Sequence, residues 1–281
     1  MATTRGCPYK CNWCAKPIYG NRYNSHSPSA KADELAYLIR EFGASHVWFC
    51  DDIFGLKPGW VQDFADEIQR RGLEIRFKIQ SRADLLLKDD TVEALARAGC
   101  EEVWLGAESG SQKILDAMDK GITVEQIRAS REMLRKHGVR TAFFLQFGYL
   151  GETKEDIDAT FDMLAETMPD DIGVSVAYPL PGTKFYERVK EELGNKSNWT
   201  DSDELALMFR NNFSPDYYKR LHRYVHKQFR KLQGFEASGR LLRARARKGD
   251  VRRAASVAYY IPAAIVEKAR LNRLLKDGSG V

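Results

Sequence analysis

The 281-residue chain has no long apolar run and little net charge. No stretch approaches the roughly eighteen apolar residues of a membrane span. Residues 1–7 also contain no apolar core of a secretory signal, so we expect the cytoplasm as the compartment. Internal repeats and low-complexity tracts are missing from the sequence, and a composition of 43% hydrophobic and 30% charged residues is that of an ordinary globular protein.

A formal net charge of +5 is too small to indicate a nucleic-acid partner by itself, and we expect none. The basic residues are unevenly distributed, because Lys and Arg recur throughout residues 219–253 against only Glu236 and Asp250. Such a run favours a solvated helical face. Contact with an anionic substrate, a membrane surface or a partner domain is the alternative interpretation.

Short runs rich in β-branched and aromatic residues alternate with amphipathic helical patterns up to about residue 190. Strand–helix units at a spacing of roughly thirty residues favour parallel strands with right-handed crossovers. Six such units predict an α/β fold, a partial (β/α)6 barrel of the TIM type, rather than a closed eight-stranded barrel. The strands are predicted at residues 3–5, 46–50, 74–80, 102–106, 141–147 and 172–178.

This alternation stops near residue 195, where an aromatic and basic helical segment begins. The predicted domains are therefore the partial barrel, residues 1–194, and a helical, basic C-terminal extension, residues 195–281. In barrels of this kind the working residues gather at the C-terminal ends of the strands. The candidates at those positions, which we expect to face one cavity, are Cys7, Cys11, Cys14, Asp51, Asp52, Arg82, Glu108 and Gly148.

Three of the five cysteines, Cys7, Cys11 and Cys14, have the spacing C-x3-C-x2-C. The odd count and the tight clustering disfavour a disulfide framework. Thiolates are soft ligands, and three of them can hold three irons of a four-iron cluster while the fourth iron stays open. The alternatives are a structural zinc site, with His26 or a distant cysteine as fourth ligand, and three packing cysteines without a metal. Cys50 is predicted to be a buried thiol rather than a ligand.

This spacing, with Trp13 just before the third cysteine, resembles the signature of the radical S-adenosylmethionine (SAM) enzymes. Other segments resemble the strand-end motifs of the cobalamin-dependent radical SAM enzymes, the group that includes the anaerobic magnesium-protoporphyrin ester cyclase. These segments are residues 4–9, 49–54, 106–111, 148–153 and 179–183. The resemblance extends over the chain up to about residue 190.

The resemblance implies two cofactors: a four-iron four-sulfur cluster on Cys7, Cys11 and Cys14, and SAM bound to its open iron. One electron from the reduced cluster would cleave SAM to a 5′-deoxyadenosyl radical, which abstracts hydrogen from the substrate. The implied partners are a small-molecule or lipid-like substrate and an electron donor such as flavodoxin or ferredoxin. The outcome would be a methylation, a cyclisation or a rearrangement.

The resemblance also implies roles for acidic residues. Asp51 and Asp52 occupy the place where many relatives carry a motif that meets the methionine ammonium. A cap on a local turn is their alternative role. Glu108 lies where relatives place a polar side chain against the ribose hydroxyls or the ammonium, and a cap on the helix near Ser111 is the alternative.

Three further residues receive implied roles. Arg82 resembles the basic residue that meets the methionine carboxylate in some relatives, with a plain surface arginine as the alternative. Trp13 and the backbone near Gly148 are candidates to contact adenine. Aromatic packing beneath the cluster would explain Trp13 as well.

The cobalamin-dependent relatives carry a nucleotide-binding-like domain before the barrel, whereas this chain begins six residues ahead of Cys7. We therefore expect a missing N-terminal cobalamin-binding domain, with cobalamin as a candidate cofactor of the full-length protein. Two rival functions remain. A tRNA-modifying methylthiotransferase should show extra N-terminal cysteines and a C-terminal RNA-binding β-barrel, and a noncatalytic iron–sulfur protein needs a fourth cysteine near the cluster.

Overall fold

Five parallel strands form the central sheet of the protein, whose computed structural model describes residues 1–15, 22–193 and 207–277. A short antiparallel pair, β1 (Thr4–Arg5) and β2 (Asn24–Ser25), precedes them. In both chain and sheet order the five strands are β3 (His46–Trp48), β4 (Arg76–Ser81), β5 (Cys100–Glu108), β6 (Arg140–Phe147) and β7 (Asp171–Val176). The sheet curls into a half-barrel with helices beside it, which confirms the predicted fold class.

The prediction of six sheet strands needs correction, because residues 4–5 pair with β2 and not with β3. Met1 bonds at the end of β3: its amino group donates to the Trp48 carbonyl at 3.0 Å, and the N–H of Cys50, just after the strand, donates to the Met1 carbonyl at 2.7 Å. The Asp51 carboxylate then accepts from the Thr3 N–H at 2.6 Å and the Thr4 N–H at 3.1 Å. The Asp51 side chain thus accepts from the backbone N–H groups that a sixth strand would use for its hydrogen bonds to β3.

The helices begin and end at the signals that the sequence provides. The first helix follows Ser27, whose hydroxyl accepts from the Ala30 N–H at 3.2 Å, and it ends at Gly43, which has a left-handed φ of 62°. The helices are α1 (Pro28–Phe42), α2 (Trp60–Arg70), α3 (Ala83–Leu86), α4 (Thr91–Arg97), α5 (Gln112–Ala117), α6 (Val124–Lys136), α7 (Lys154–Thr167), α8 (Lys184–Val189), α9 (Pro215–Leu242) and α10 (Asp250–Asp277). A 3-10 turn, Lys190–Glu192, follows α8.

The main core lies between the sheet and its helices. Alternate strand residues are fully buried there, among them Phe77, Val103 and Phe143. Burial of one such side chain stabilises the fold by roughly 1.5–3 kcal/mol. The intervening residues Trp104 and Phe144 are less buried and face the other, concave side, which leaves that side free to form a site.

The C-terminal helices pack against the last strand. Helix α9 buries Tyr218, Val225 and Phe229 in the same core as the sheet, and it lies along α10. Part of the basic run is neutralised, since Lys227 pairs with Glu267 of α10 at 2.8 Å. The predicted domain boundary at residues 194–195 lies outside the described residues and stays a prediction. Within the described ranges, no helix is long and apolar enough to cross a membrane.

Candidate functional site

A cavity of about 410 Å³ lies where residues 7–14, the cysteine loop, meet the C-terminal ends of β4 and β5, and we call it the cysteine cavity. Parallel strands end at one edge of a sheet, so side chains far apart in sequence meet there. Gln80 and Ser81 reach the cavity from β4, and Trp104 and Gly106 reach it from β5. Seven of the nine residues predicted for the site line this cavity, namely Cys7, Cys11, Trp13, Cys14, Asp52, Arg82 and Glu108.

The cysteine loop is fastened to the barrel by Asn12, which is buried. The Asn12 N–H donates to the Met118 carbonyl at 3.1 Å, and its side-chain amide donates to the Ala117 carbonyl at 2.8 Å. The hydroxyl of the buried Tyr149 donates to the Asn12 side-chain oxygen at 2.5 Å. These bonds hold the residue between Cys11 and Trp13 against the end of α5. Sequence reasoning missed this anchor, because a single polar residue within a loop gives no periodic signal.

Burial and nearby cations act in opposite directions on the thiols. Burial raises the pKa of the Cys7 thiol, and it also raises the pKa of the Cys11 thiol against the attraction of Lys120 and Arg82. Since the thiolate is the form that binds metal, both cations favour ligation by stabilising that form. The cavity therefore supplies soft donors together with positive charge.

This donor set fits an iron–sulfur cluster better than a zinc ion. Within the described residues, no three His, Cys, Asp or Glu side chains converge closely enough to hold a single metal ion. A cluster does not need that convergence, because each thiolate binds a different iron. His26, the alternative zinc ligand, is exposed and does not line the cavity. Cys7, Cys11 and Cys14 all line it, which also disfavours a role in core packing alone.

Glu108 and Lys120 form a buried ion pair in the cavity wall. The Lys120 Nζ lies 2.6 Å from the Glu108 Oε1, and both side chains are less than a tenth exposed. The pair occurs at an irregularity of β5, where the register with β6 shifts between Gly106 and Glu108 and where Glu108 has a φ of 58°. A left-handed conformation at a non-glycine residue costs about 1–3 kcal/mol and is typical of functional sites.

Gly106 gives this ion pair its space. A Cβ atom there would lie 2.7 Å from the Lys120 Nζ and 2.9 Å from the Glu108 Oε1. The Glu108 carboxylate bonds to Lys120 rather than to the first turn of α5, so the helix-cap interpretation of Glu108 finds no support in the structure. Sequence analysis did not identify Lys120, because it lies twelve residues beyond Glu108 in a loop after α5.

Arg82 is buried rather than a plain surface arginine. Its guanidinium carbon lies 3.6 Å from the centre of the Tyr9 ring, and only 3% of its surface is exposed. Its Nε donates to the Asp84 Oδ1 at 2.9 Å. A stacked and hydrogen-bonded arginine keeps one orientation, so the Arg82 guanidinium is held in the wall of the cavity.

The adjacent residues Asp51 and Asp52 have different environments. Asp51 is buried, does not line the cavity, and bonds to the backbone of Thr3 and Thr4 and to the Thr3 hydroxyl. Its implied contact with the SAM ammonium is therefore not supported, because its oxygens already accept these bonds. Asp52 lines the cavity. The bonds of Asp51 reach 47 and 48 residues back along the chain, so they are not the local turn cap that was its alternative role.

Two other residues at the strand ends do not lie where we expected, although the implied contact of the Gly148 backbone with adenine stays a prediction. Gly148 does not line the cavity: its N–H donates to the Glu152 Oε2 at 2.7 Å, and its carbonyl accepts from the Asn211 side chain at 2.7 Å. A Cβ atom at Gly148 would meet Tyr218 of α9 at 3.3 Å, so the C-terminal segment covers this backbone. Cys50 is exposed rather than buried, because it lies between the buried Phe49 and Asp51 and is on the outer side of this segment.

An aromatic wall, formed by Trp104 and Phe144, completes the concave side of the cavity. The two ring centres lie 4.6 Å apart, and both side chains line the cavity. They occupy alternate positions of β5 and β6, opposite to the buried core positions. Both sides of a parallel strand are often apolar. The alternation along β5 and β6 therefore does not tell from the sequence which residues face the core and which face the cavity.

Sequence comparison finds curated relatives that all match part of this chain. An uncharacterized methyltransferase of Pyrococcus horikoshii is 30% identical over 201 residues, which are 71% of this chain and 44% of the relative. The anaerobic magnesium-protoporphyrin IX monomethyl ester cyclase of Rubrivivax gelatinosus is 27% identical over 193 residues, 68% of this chain and 34% of the relative. A tRNA-2-methylthio-N(6)-dimethylallyladenosine synthase of Carboxydothermus hydrogenoformans is 29% identical over 206 residues, 68% of this chain and 46% of the relative.

Structure comparison extends the similarity into the C-terminal helices. The cobalamin-dependent SAM radical enzyme OxsB, solved with aqua-cobalamin bound, has a TM-score of 0.68 at 18% identity and covers 96% of this chain. The match spans 46% of the OxsB chain, and the matched part is likewise less than half of each of the three curated relatives. The model of the Radical SAM superfamily matches residues 1–164, and the chain therefore belongs to the radical SAM superfamily.

Proposed function

We propose that this chain is the catalytic barrel of a radical SAM enzyme, in which Cys7, Cys11 and Cys14 hold a four-iron four-sulfur cluster beside a SAM-binding cavity. One observation carries the proposal: the three thiols and the buried Glu108–Lys120 pair line the same cavity. When bound and reduced, such a cluster supplies the electron that cleaves a carbon–sulfur bond of SAM. The chain itself binds and orients the reactants and limits their access to water.

The charged residues of the cavity complement the amino-acid end of SAM. Lys120 and Arg82 are donors for its carboxylate, and Glu108 and Asp52 are acceptors for its ammonium. Glu108 and Lys120 lie 2.6 Å apart, and a zwitterion can bond to both while neither charge is left unpaired. Trp13, whose Nε1 is buried without a hydrogen-bond partner, lines the same cavity and is the proposed contact for adenine.

The substrate of this proposed enzyme is a small or lipid-like molecule that lies against the aromatic wall of Trp104 and Phe144. The methyltransferase and the cyclase among the relatives favour methylation or ring closure as the reaction. An electron donor such as flavodoxin or ferredoxin belongs to the same proposal. The methylthiotransferase alternative has a relative in its favour. Residues 207–277 nevertheless form two helices and no strand in their described part, unlike an RNA-binding β-barrel.

Cobalamin use is part of the proposal for a longer polypeptide. OxsB was solved with aqua-cobalamin bound, and the match covers less than half of that chain. We expect this chain alone to bind cobalamin weakly, because a barrel supplies only one wall of a corrin site. Equilibrium dialysis measures the affinity for cobalamin. It should be done for this chain and for a version extended into any upstream reading frame. Tight one-to-one binding by the short chain would contradict the expectation.

Anaerobic reconstitution tests the proposed cluster. The chain should take up about four irons and four sulfides, and its reduced-state electron paramagnetic resonance spectrum should change when SAM is added, because SAM meets the open iron. Replacement of Cys7, Cys11 and Cys14 by Ala should abolish the iron uptake. The matched control is Cys50→Ala, an exposed thiol outside the cavity, which should leave it intact. Stoichiometric zinc without iron would refute the assignment.

A further inference from the structure

A second cavity, of about 210 Å³, is lined by five arginines and lies apart from the cysteine site. It lies between α6, the turn before β7 and the facing parts of α9 and α10, and none of its residues lines the cysteine cavity. We call it the arginine cavity. Two carboxylates, Asp170 and Glu236, also line it, and its arginines are Arg131, Arg135, Arg240, Arg247 and Arg253. The wall therefore has a clear excess of positive charge.

The nearby carboxylates are already engaged. Asp250 is fully buried, and it accepts from the Arg240 Nη2 at 2.7 Å, the Arg240 Nε at 2.9 Å and the Arg247 N–H at 2.9 Å. Asp170 accepts from the Thr141 N–H at 2.9 Å. Glu236 pairs with the Arg240 Nη1 at 2.9 Å, and the Arg253 Nη1 lies 3.7 Å from the Asp250 Oδ1. Each of these carboxylates therefore already has a partner. The Arg247 side chain forms no ion pair with any described residue, and it carries several N–H donors.

Arg131 shows the same shortage of acceptors inside the wall. It is 6% exposed, and its Nη2 donates to the Met168 carbonyl at 2.8 Å, whereas its Nε is buried without a partner. Its nearest carboxylate oxygen, on Asp170, lies 3.4 Å away. Burial also lowers the pKa of the Arg131 guanidinium. An anion in the cavity would balance the part of the Arg131 charge that Asp170 does not.

The neighbouring space indicates the size of the ligand. A cavity of about 470 Å³ shares Gln233 and Arg253 with the arginine cavity and adds Arg230, Arg252 and Tyr260. Guanidinium groups match phosphate oxygens through paired hydrogen bonds, and the first turn of α10 adds the positive end of a helix dipole. We propose that the arginine cavity binds the phosphate of a small phosphorylated molecule, whose remaining part occupies the adjoining cavity. Two adjoining cavities of this size suit a small ligand better than a long polyanion.

Calorimetric titration with inorganic pyrophosphate, at constant ionic strength, tests this proposal on the whole chain. We expect saturable one-to-one binding that weakens roughly tenfold or more in the double variant Arg247→Gln/Arg253→Gln, which loses charge-assisted hydrogen bonds. The matched control is Arg243→Gln/Arg245→Gln. It removes the same charge from exposed positions outside both cavities and should keep the affinity within about twofold.

Three outcomes would overturn the proposal. The first is the absence of saturable pyrophosphate binding. The second is an equal loss of affinity in both double variants, which would indicate general attraction to the basic helices. The third is tighter binding of a short RNA that both double variants weaken alike, which would indicate a nucleic-acid surface. Circular dichroism of the variants checks that a loss of binding does not come from unfolding.

Discussion

The Glu108–Lys120 ion pair should contribute both to the stability of the barrel and to the binding of SAM. Lys120→Met leaves the buried Glu108 carboxylate unpaired and should lower the free energy of unfolding by about 3–5 kcal/mol. The double variant Lys120→Met/Glu108→Gln removes both charges and should recover most of that stability in urea unfolding. SAM affinity, measured by equilibrium dialysis, should stay weak in the double variant. Recovery of SAM affinity together with stability would mean that the pair is only structural.

Glu152 makes stability depend on pH. Burial raises the pKa of its carboxyl from 4.5 to about 8, and its Oε1 has no hydrogen-bond partner. The folded chain thus keeps a proton that the unfolded chain releases, and this group lowers stability as the pH rises from about 4.5 to 8. Over this pH range, the free energy of unfolding of the wild type should fall relative to that of Glu152→Gln by about 1.4 kcal/mol for each unit of difference between the folded and unfolded pKa of Glu152.

Unfolding curves at pH 5, 6, 7 and 8 measure this effect of Glu152. The gap in unfolding free energy between Glu152→Gln and the wild type should widen with pH. Asp162→Asn, an exposed carboxyl of α7, is the control and should follow the wild type. A constant gap for Glu152→Gln would show that its carboxyl is ionised in the folded chain throughout this range.

At the residue level, the sequence predicted which residues carry the proposed chemistry more successfully than it predicted which residues contact them. Spacing identified Cys7, Cys11 and Cys14, and strand ends identified Arg82 and Glu108, because these signals are local. Lys120 and Asn12 were missed, since their importance comes from contacts formed only when α5 folds back beside the cysteine loop. Asp51 and Asp52 could not be distinguished, because which of two adjacent side chains faces the cavity depends on the turn after β3.

The N-terminal segment is the element whose place in the fold differs most from the prediction. Asp51 holds it through the backbone of Thr3 and Thr4, and Asp52 lines the cavity. Asp51→Asn should raise amide exchange at residues 3–4 and lower the free energy of unfolding by about 1–3 kcal/mol. Asp52→Asn should instead weaken SAM binding without a change in that exchange. The opposite pattern in hydrogen-exchange mass spectrometry and dialysis would contradict both assignments.

Helices and strands of the barrel were predictable where one periodic signal dominates. The stripe of α1 and the caps at Ser27 and Gly43 specify that helix locally. The short pair β1–β2 was not predictable, because it depends on the long-range bonds from Asp51. The end of β3 was also placed too late by two residues. The prediction of a buried Cys50 was wrong for another reason, since Cys50 alternates with the buried Phe49 and Asp51.

For the whole molecule, alternation of strands and helices was enough to predict an α/β partial barrel, and the family model confirms the superfamily. The packing of α9 on the last strand was not predictable, since its apolar positions are interrupted by basic residues that pair with β7 and α10. This packing covers Gly148 and separates the backbone after β6 from the cavity. The described barrel and α9 therefore share one core.

Formation of 5′-deoxyadenosine is the most direct test of the central claim, that the thiols and the charged residues of one cavity act together on SAM. The reconstituted chain, reduced with dithionite and incubated with SAM, should release 5′-deoxyadenosine and methionine in equal amounts, as chromatography with mass detection would show. The variant without Cys7, Cys11 and Cys14 should release none, and Cys50→Ala should match the wild type. An iron-loaded, SAM-bound chain that forms no more 5′-deoxyadenosine than the triple variant would contradict the account.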